Sequence, residues 1–557
     1  MSQTPTSDPK VDDTKAPDVD DALAQARASL RFWLVFIALC FCVLLSALDL
    51  GGVSTAAPMI VAELHGTDFS WVGSAYTLSS AACLPFAGNL AQIFGRRPVT
   101  LVLVLIFAIG SAVSGSSKSM TALIVGRAIQ GVGGGGLQTL VYIVNADLVP
   151  LRKRGIFTGI TGLVWTLGTV VGPVISGSLT EKASWRWLFY MNLPLCALAF
   201  LAVALFLDLK KPEGDIRSKI VKIDWIGNIL IIASSTSCML GLTWGGGRFP
   251  WSSAQVLAPV IIGVIGLGVT LVYEIRFASR PTIPKTVISN PGSLLGYFAA
   301  FIHGVITLGV TFYLPTWFQS VHDATPIQSG IYFLPMAASI SPAAIVQGLL
   351  IAKLGHYRLI NLIGWSAVLL GLGLFITLDR NTSLGVIVVF QIIQGVGMGL
   401  LYALTFVVLA PLPVSENASA VSLLSFVRAF SQSWGVAIAG SVISNKLAST
   451  LPSSILEQFD RASLVYGVIP EIAGLPEPLQ DQVKDVYVES IRVMWIVMAV
   501  LAAVGFLTVL FMKDIPLSRT VDGKWGLKKP AEKGKTEKAE VGENSEEVTE
   551  IEKGATT

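Results

Sequence analysis

The sequence predicts an all-α membrane protein in which two six-helix bundles flank two extra central helices. Of the 557 residues, 53% are hydrophobic and 13% are charged, about half the charged share of a soluble domain. The apolar residues form fourteen long runs, and two stretches of the first half reappear in the second half. A surface so poor in charge favours lipid over water as the surrounding medium.

Each of the fourteen runs is long enough to cross roughly 30 Å of hydrocarbon at about 1.5 Å per residue. They cover residues 33–55, 70–88, 98–115, 121–144, 155–178, 186–207, 224–243, 254–275, 293–315, 327–350, 358–378, 384–410, 418–444 and 491–512. Both ends of the chain are polar and hold too few apolar residues to offset the entropy of ordering, so they are predicted to be disordered tails.

The distribution of Lys and Arg predicts the orientation in the membrane. With the N-terminus inside, the inner connections between spans hold fifteen Lys and Arg residues and the short outer ones hold five. Cytoplasmic loops carry the excess of Lys and Arg, so both termini are predicted to be cytoplasmic. The sequon at Asn381 then falls in a short outer loop, where it is a candidate N-glycosylation site.

An internal repeat defines the predicted domains. GNLAQIFGRR at 88–97 is similar to GLLIAKLGHYR at 348–358, and RAIQGVGGG at 127–135 is similar to QIIQGVGMG at 391–399. Parallel halves with a central site are typical of rocking secondary transporters. The predicted units are an N-terminal tail (1–31), a six-helix bundle (32–208), a linker with two spans (209–290), a second six-helix bundle with a long outer loop at 446–489 (291–515), and a C-terminal tail (516–557).

Three ionisable residues at membrane depth are candidates for proton coupling. A charge near the bilayer centre costs about 2.5–3.5 kcal/mol, so each one indicates a functional site. Asp49 and Arg127 lie at nearly the same predicted depth, and Asp49 either carries protons or forms a structural ion pair with Arg127. His303 lies near the predicted midplane and either shares the proton path or is a hydrogen-bonded structural residue.

A second set of residues is predicted to line a substrate cavity. Arg428 lies near the midplane, where it contacts an anionic or polar substrate or is held by carbonyl groups and Gln432. Aromatic and amide side chains at cavity depth suit large, weakly polar solutes, although packing against lipid or other helices is the alternative. The predicted cavity residues are Trp165, Gln130, Gln347, Gln391, Gln394, Arg428, Gln432 and Trp434.

Four motifs together resemble the major facilitator superfamily, and within it the fourteen-span drug:proton antiporters, most of all the fungal multidrug and toxin efflux members. The span 1 signature is similar to LDLGGVSTAAP at 48–58. The other matches are the loop motif with Gly88, Gly95, Arg96 and Arg97, the span 4 motif with Arg127, Gln130, Gly131 and Gly133, and the antiporter motif with Gly168, Gly172, Pro173 and Gly177.

The resemblance implies a proton-coupled antiporter that exports amphipathic drugs or secondary-metabolite toxins by alternating access. It further implies a monomer in the plasma membrane, or alternatively the vacuolar membrane. The loop motif departs from the family because Gln92 stands where an acidic residue is usual. The inner gate is therefore assigned to Asp147 with Arg96 or Arg97, the alternative being a local pair of Asp147 with Arg152.

The sequence also excludes several functions. It lacks a Walker A loop, a nucleophile elbow and an HExxH helix, so neither ATP hydrolysis nor another enzyme activity is predicted. The five cysteines lack metal-ligand spacing, and a net charge of +3 does not favour nucleic acid. No cofactor or metal is expected. The rival functions are transport of siderophores or other organic anions by the same fold, and a membrane sensor that does not transport.

Overall fold

The computed structural model describes residues 30–64, 70–209, 212, 215–246, 249–459 and 464–519, and the regular structure within these ranges is helical. Twenty α-helices are described: α1 Leu30–Leu64, α2 Ser70–Phe94, α3 Arg96–Gly115, α4 Met120–Leu148, α5 Leu151–Lys182, α6 Trp187–Tyr190, α7 Asn192–Phe206, α8 Ile216–Ile220, α9 Trp225–Trp244, α10 Ala254–Arg276, α11 Lys285–Ser289, α12 Pro291–Val321, α13 Pro326–Leu354, α14 Tyr357–Ile376, α15 Leu384–Leu400, α16 Leu404–Leu409, α17 Asn417–Thr450, α18 Ser453–Leu456, α19 Ile469–Ile472 and α20 Glu477–Phe511. Most of the two predicted tails, 1–29 and 520–557, lies outside the described residues.

Twelve of the predicted spans each overlap one of these helices, and the other two are interrupted. The sixth span divides into α6 and α7, and the twelfth into α15, a 3₁₀ turn at Leu401–Ala403 and α16. Among the described residues, eleven helical segments are long and apolar enough to cross a membrane. Helices α2, α4 and α17 are not among them, because glycine, serine and other polar residues lower their hydropathy. The count of fourteen crossings therefore stays a prediction.

The helix ends follow local capping chemistry. Ser119 accepts a hydrogen bond from the Ala122 N–H and begins α4, and Thr325 forms a capping box with Gln328 at the start of α13. Gly95 and Gly355, the repeated glycines of the loop motif, have φ angles of 96° and 77°. Other residues rarely adopt these angles, so glycine is required at both tight connections.

The internal repeat is visible in the packing. Helices α1–α7 form one bundle, α12–α17 and α20 form the second, and α9 and α10 pack on each other beside α2. In α4, a methyl group added at Gly131 would collide with Ser79 and the Tyr76 carbonyl of α2. In α15, the same change at Gly395 would collide with Ser339 and the Met336 carbonyl of α13. The glycines thus let corresponding helices approach closely in both bundles.

The two bundles meet where α2 packs on α17 and where α5 packs on α13, with a further contact between α4 and α17. At the first pair, Gln92 donates to Ser419 Oγ at 2.7 Å. At the second, Arg152 donates to the Ala352 carbonyl at 2.7 Å, and Gly155 lies directly against Gly348. These contacts lie at the end of the molecule that holds the loops at 95, 149–150 and 355, here named the Arg96 end; the opposite end is named the Trp185 end.

Candidate functional site

A buried polar cluster joins four helices of the N-terminal bundle. Asp49 of α1 forms an ion pair with Arg127 Nη1 of α4, and both side chains are fully buried. Its other carboxylate oxygen accepts from Gln130 Nε2 at 2.8 Å and from Asn192 Nδ2 at 3.0 Å. Gln130 also donates to Ser111 Oγ of α3 at 2.8 Å. We name Asp49, Arg127, Gln130, Asn192 and Ser111 the Asp49 cluster.

Arg127 is held on several sides. Its Nε donates to the Val72 carbonyl of α2 at 3.0 Å, and Nη1 donates to Gln130 Oε1 at 2.7 Å. The guanidinium lies over the Tyr76 ring at 4.6 Å from its centroid. Nη2 is buried and has no hydrogen-bond partner among the described residues. A buried charge pair of this kind is costly to desolvate, and losing either member would leave an uncompensated charge.

His303 lies in the C-terminal bundle and belongs to a different environment. Its Nε2 lies 3.2 Å from the Met398 carbonyl oxygen, and its ring packs edge-on against Tyr402 at 5.9 Å between centroids. Among the described residues, neither a hydrogen bond nor a ring contact joins it to the Asp49 cluster. In this conformation His303 therefore lies apart from that cluster.

Arg428 of α17 lies between the bundles and is only partly buried. It donates from Nη2 to Thr405 Oγ1 at 3.3 Å, and its guanidinium lies over Tyr402 at 4.8 Å from the ring centroid. Within the described ranges no carboxylate pairs with it, and its Nε is buried without a partner. Thr405 and Tyr402, rather than the predicted Gln432, hold this side chain. Tyr402 lies in the 3₁₀ turn that interrupts the twelfth span.

The remaining predicted cavity residues divide into two groups. Trp165, Gln432 and Trp434 are partly exposed, and Gln347 lines a small cavity with Gly155, Tyr402 and Thr405. Gln130, Gln391 and Gln394 are fully buried between helices of a single bundle. Gln130 belongs to the Asp49 cluster and Gln391 donates to the Tyr332 carbonyl at 2.9 Å. In this conformation these three glutamines are packed between helices: Gly110 of α3 lies against Gln130, and Gly371 of α14 lies against Gln394.

At the Arg96 end, Asp147 is held by Arg96, with distances of 2.7 Å to Nε and 3.4 Å to Nη2. Arg97 instead donates to the Ala204 carbonyl at the end of α7 and lies 3.8 Å from Asp208. The Arg152 guanidinium points across the interface between the bundles to the Ala352 carbonyl. Of the partners expected for Asp147, Arg96 is therefore in direct contact with it.

The antiporter motif lies where α5 packs on α1. A methyl group at Gly168 would come within 2.6 Å of Ala47 Cβ, and the Gly172 carbonyl lies 3.4 Å from the position of a Cβ on Gly52. The surroundings of Pro173 and Gly177 lie outside the described part of the structure. Gly88 approaches Ser422 across the interface between the bundles. Asn381 is exposed in the turn after α14.

Comparison with known proteins agrees with this architecture. The model of the family described as Major Facilitator Superfamily matches residues 39–436. The chain belongs to the Major Facilitator Superfamily. The efflux pump FUS6 of Gibberella moniliformis is 36% identical over 541 residues, which cover 95% of this chain and 96% of the pump. The FUS6 pump of Gibberella fujikuroi is 37% identical over 515 residues, covering 90% of this chain and 93% of the pump.

The chain is thus an integral membrane transporter and not an enzyme, and its relatives are fungal efflux pumps. Among solved structures, the crystal structure of the human organic anion transporter MFSD10 (TETRAN) is similar in fold, with a TM-score of 0.56. The two chains share 15% sequence identity, and the match covers 86% of this transporter and 100% of the human chain. At this identity the likeness concerns the fold alone.

Sequence reasoning missed two members of the Asp49 cluster. Asn192 and Ser111 are uncharged and lie in helices whose hydropathy is otherwise high. Asn192 is the amide residue of the stretch WRWLFYMNLP at 185–194, and its position at the first turn of α7 is the signal that could have drawn attention to it. Ser111 carries no comparable signal, because single serines are common in membrane helices.

Proposed function

We propose that this transporter is a proton-coupled efflux antiporter in which Asp49 carries the coupled proton. The observation that carries the proposal is the Asp49 cluster: a fully buried carboxylate paired with Arg127 and hydrogen-bonded by two amides. Intramembrane ionisable residues that face the interior of a bundle are characteristic of proton relays.

The cluster suits a proton cycle because its partners come from separate helices. Asp49 lies on α1, Arg127 and Gln130 on α4, and Asn192 on α7. A relative shift of α1 and α4 would separate the carboxylate from the guanidinium, and a buried carboxylate without its cation binds a proton more readily. Proton uptake and helix movement are therefore linked through one ion pair.

We further propose that the Arg96 end faces the cytoplasm. The fifteen basic residues of the inner connections support this orientation. The contacts of Gln92 and Arg152 close the two bundles at that end. The conformation is then outward-facing. The Arg96–Asp147 pair fixes the loop at Gly95 to the end of α4 and serves as part of the inner gate.

The proposed cargo is a small amphipathic organic compound of the secondary-metabolite or drug class. The names of the efflux-pump relatives support export of such compounds, and the partly exposed rings of Trp165 and Trp434 supply apolar contact area. Arg428 favours a second candidate, an organic-anion exporter, because it has no carboxylate partner among the described residues. Both candidates share the fold and the proton step.

The test compares Asp49→Asn with Asp49→Glu in a pump-deficient host. Surface expression of each variant is measured first, and accumulation of a panel of fluorescent dyes of both charges is followed under an imposed pH gradient. Asp49→Glu retains part of the gradient-driven export, whereas Asp49→Asn binds dye but does not export it uphill. Full proton-driven export by a well-expressed Asp49→Asn variant would remove Asp49 from the coupling role.

The proposed location is the plasma membrane, with the vacuolar membrane as the alternative, and a fluorescent fusion at the C-terminus distinguishes the two. Orientation is tested with glycosylation acceptors placed in equally lengthened loops at 379–383 and 411–418. Glycan addition at the first loop and not at the second agrees with cytoplasmic termini, and the reverse pattern would contradict them. The same experiment shows whether Asn381 itself is modified.

A further inference from the structure

The two central helices α9 and α10 carry a second pair of buried acidic side chains. Asp224 caps the start of α9 and Glu274 lies in the last turn of α10, both at the Arg96 end. Asp224 is 9% exposed and Glu274 is 2% exposed. A methyl group on Gly227 would collide with Asp224 Oδ2 and lie 2.5 Å from Glu274 Oε1, so these two oxygens are less than about 5 Å apart.

Each carboxylate uses one oxygen for known donors and leaves the other one free. Asp224 Oδ1 accepts from the Gly227 N–H at 2.9 Å and from the Tyr273 hydroxyl at 3.3 Å. Glu274 Oε2 accepts from the Ile283 N–H at 3.4 Å, and the Thr282 N–H also donates to this carboxylate. Asp224 Oδ2 and Glu274 Oε1 are both buried and have no hydrogen-bond partner among the described residues. These two buried carboxylate oxygens therefore face the same small space beside Gly227.

In the part of the chain that the structure describes, no ion pair compensates the two negative charges. Among the described residues, no Lys, Arg or His forms an ion pair with either carboxylate, and Tyr273 is the titratable side chain in contact with them. The packed neighbours are neutral: Asn228 on α9 and Asn89 on α2 donate to Thr282 Oγ1 at 2.9 Å and 3.0 Å. Two adjacent carboxylates in such a place cannot both ionise at low cost.

We propose that Asp224 and Glu274 bind one proton between Oδ2 and Oε1, forming a proton site separate from the Asp49 cluster. A proton needs no more than these two oxygens, whereas a metal ion needs several further ligands. The described residues contain no group of three or more metal-ligating side chains. The shared proton removes the repulsion between the start of α9 and the end of α10.

The consequence is a proton-dependent attachment of the central helices to α2. Glu274 holds the backbone of Ile283, and the adjacent Thr282 accepts from Asn89 on α2. Helix α2 ends at the Gly95 loop, next to Arg96 of the proposed gate. With the proton bound, α9, α10 and the segment at 282–283 stay docked on α2; without it, repulsion between the carboxylates separates α9 from α10 at the Arg96 end.

The experiment is infrared spectroscopy of the full-length transporter in lipid nanodiscs, in buffer at about pH 6, where exposed carboxyl groups are already ionised. The wild type is expected to show the carbonyl stretch of a protonated carboxyl group, which both Glu274→Gln and Asp224→Asn abolish. In each variant the N–H of the new amide donates to the remaining carboxylate oxygen beside Gly227, so no shared proton is needed there. Asp215→Asn, which changes an exposed carboxylate nearby, leaves the band in place.

The same spectrum of Asp49→Asn separates this proposal from the proposal on coupling. The band is expected to persist in that variant whether or not Asp49 carries the transported proton. Absence of the band from the wild type would overturn the proposal, as would its persistence in both Glu274→Gln and Asp224→Asn. Loss of the wild-type band on addition of sodium or magnesium ions would assign the pair to a metal ion instead. Thermal unfolding provides a second measurement: the wild type loses stability as the pH rises, and Glu274→Gln does not.

Discussion

Helices α4 and α15 occupy corresponding places in the two bundles, yet they differ in charge. The Arg127 Nε donates to the Val72 carbonyl of α2 at 3.0 Å, and Gln391, the matching residue of the repeat, donates to the Tyr332 carbonyl of α13 at 2.9 Å. The contact between helices is therefore the same in both bundles. The carboxylate of Asp49 is an addition that only the N-terminal bundle contains at this place among the described residues.

The packing of helices within a bundle therefore does not require these charges. The C-terminal bundle keeps its helices together with a neutral glutamine and the glycines at 395, 397 and 399. The N-terminal bundle has the same glycine pattern and in addition desolvates an ion pair, which is seldom a net gain for stability. We infer that the Asp49–Arg127 pair serves transport.

The largest effect is expected when one charge is removed from the N-terminal bundle. Arg127→Gln strands the buried Asp49 carboxylate and destabilises the fold by about 3–5 kcal/mol. Gln391→Leu at the matching position removes one neutral hydrogen bond and costs about 1 kcal/mol. Membrane expression and thermal unfolding in detergent measure both variants. Equal losses of stability in the two variants would show that the charged and the neutral position are equivalent, which would contradict the comparison.

The next effect concerns the Arg96 end. Asp147→Asn removes a charge-assisted hydrogen bond worth about 1.5–3 kcal/mol from the Arg96 pair, which shifts opening at this end roughly tenfold or more. Labelling of Ser419→Cys by an impermeant thiol reagent from the cytoplasmic side measures the opening. The matched control in the C-terminal bundle is Asp514→Asn, which changes the contact with His356 and leaves access unchanged. Unchanged labelling in Asp147→Asn would place the gate elsewhere.

A smaller effect, of equal size in the two bundles, is expected when the corresponding glycines of the repeat are replaced. Gly131→Ala and Gly395→Ala each force a methyl group against the neighbouring helix and destabilise by about 1–3 kcal/mol. Gly373→Ala is the control, because its added methyl group meets no atom within 4 Å. Thermal unfolding of the three variants compares the two bundles directly. A much larger loss at Gly131 than at Gly395 would mean that the repeated packing is not equivalent.

The smallest effect is expected at an exposed ion pair of the N-terminal bundle. Glu63 accepts from Arg186 and from Trp185 Nε1, and these hydrogen bonds lower the pKa of the Glu63 carboxyl group. The carboxyl side chain is 50% exposed, so the pair contributes about 0–1 kcal/mol. The contribution exists above the ordinary pKa of glutamate and disappears as the pH falls through the lowered value. The free energies of unfolding of Glu63→Gln and of the wild type, measured across this pH range, should become equal at the acidic end.

The sequence predicted the helices and the main ion pairs for clear physical reasons. Runs of apolar residues mark helices in lipid, and equal predicted depth placed Asp49 near Arg127, with which it forms an ion pair. The same reasoning could not assign Gln130, because an amide suits a substrate cavity as well as a buried cluster. The glycine faces that bury Gln391 and Gln394 depend on which helices become neighbours, and one sequence does not show this.

The Asp224–Glu274 pair illustrates a different limit. Each residue lies at the edge of a predicted span, where acidic side chains are ordinary flanking residues. Their proximity arises from the antiparallel packing of α9 on α10 and from the absence of a side chain at Gly227. Charge placement along the chain predicts depth, but contacts across 50 residues depend on helix rotation, which hydropathy does not determine.

The most direct test of the central claim is gradient-driven export by the double variant Asp49→Asn with Arg127→Gln. This variant gives the N-terminal bundle the neutral chemistry of its C-terminal counterpart and strands no charge. The account predicts surface expression and thermal stability close to wild type, together with complete loss of dye export under an imposed pH gradient. Proton-driven export at the wild-type rate would contradict it, because the buried charges would then have no role in coupling.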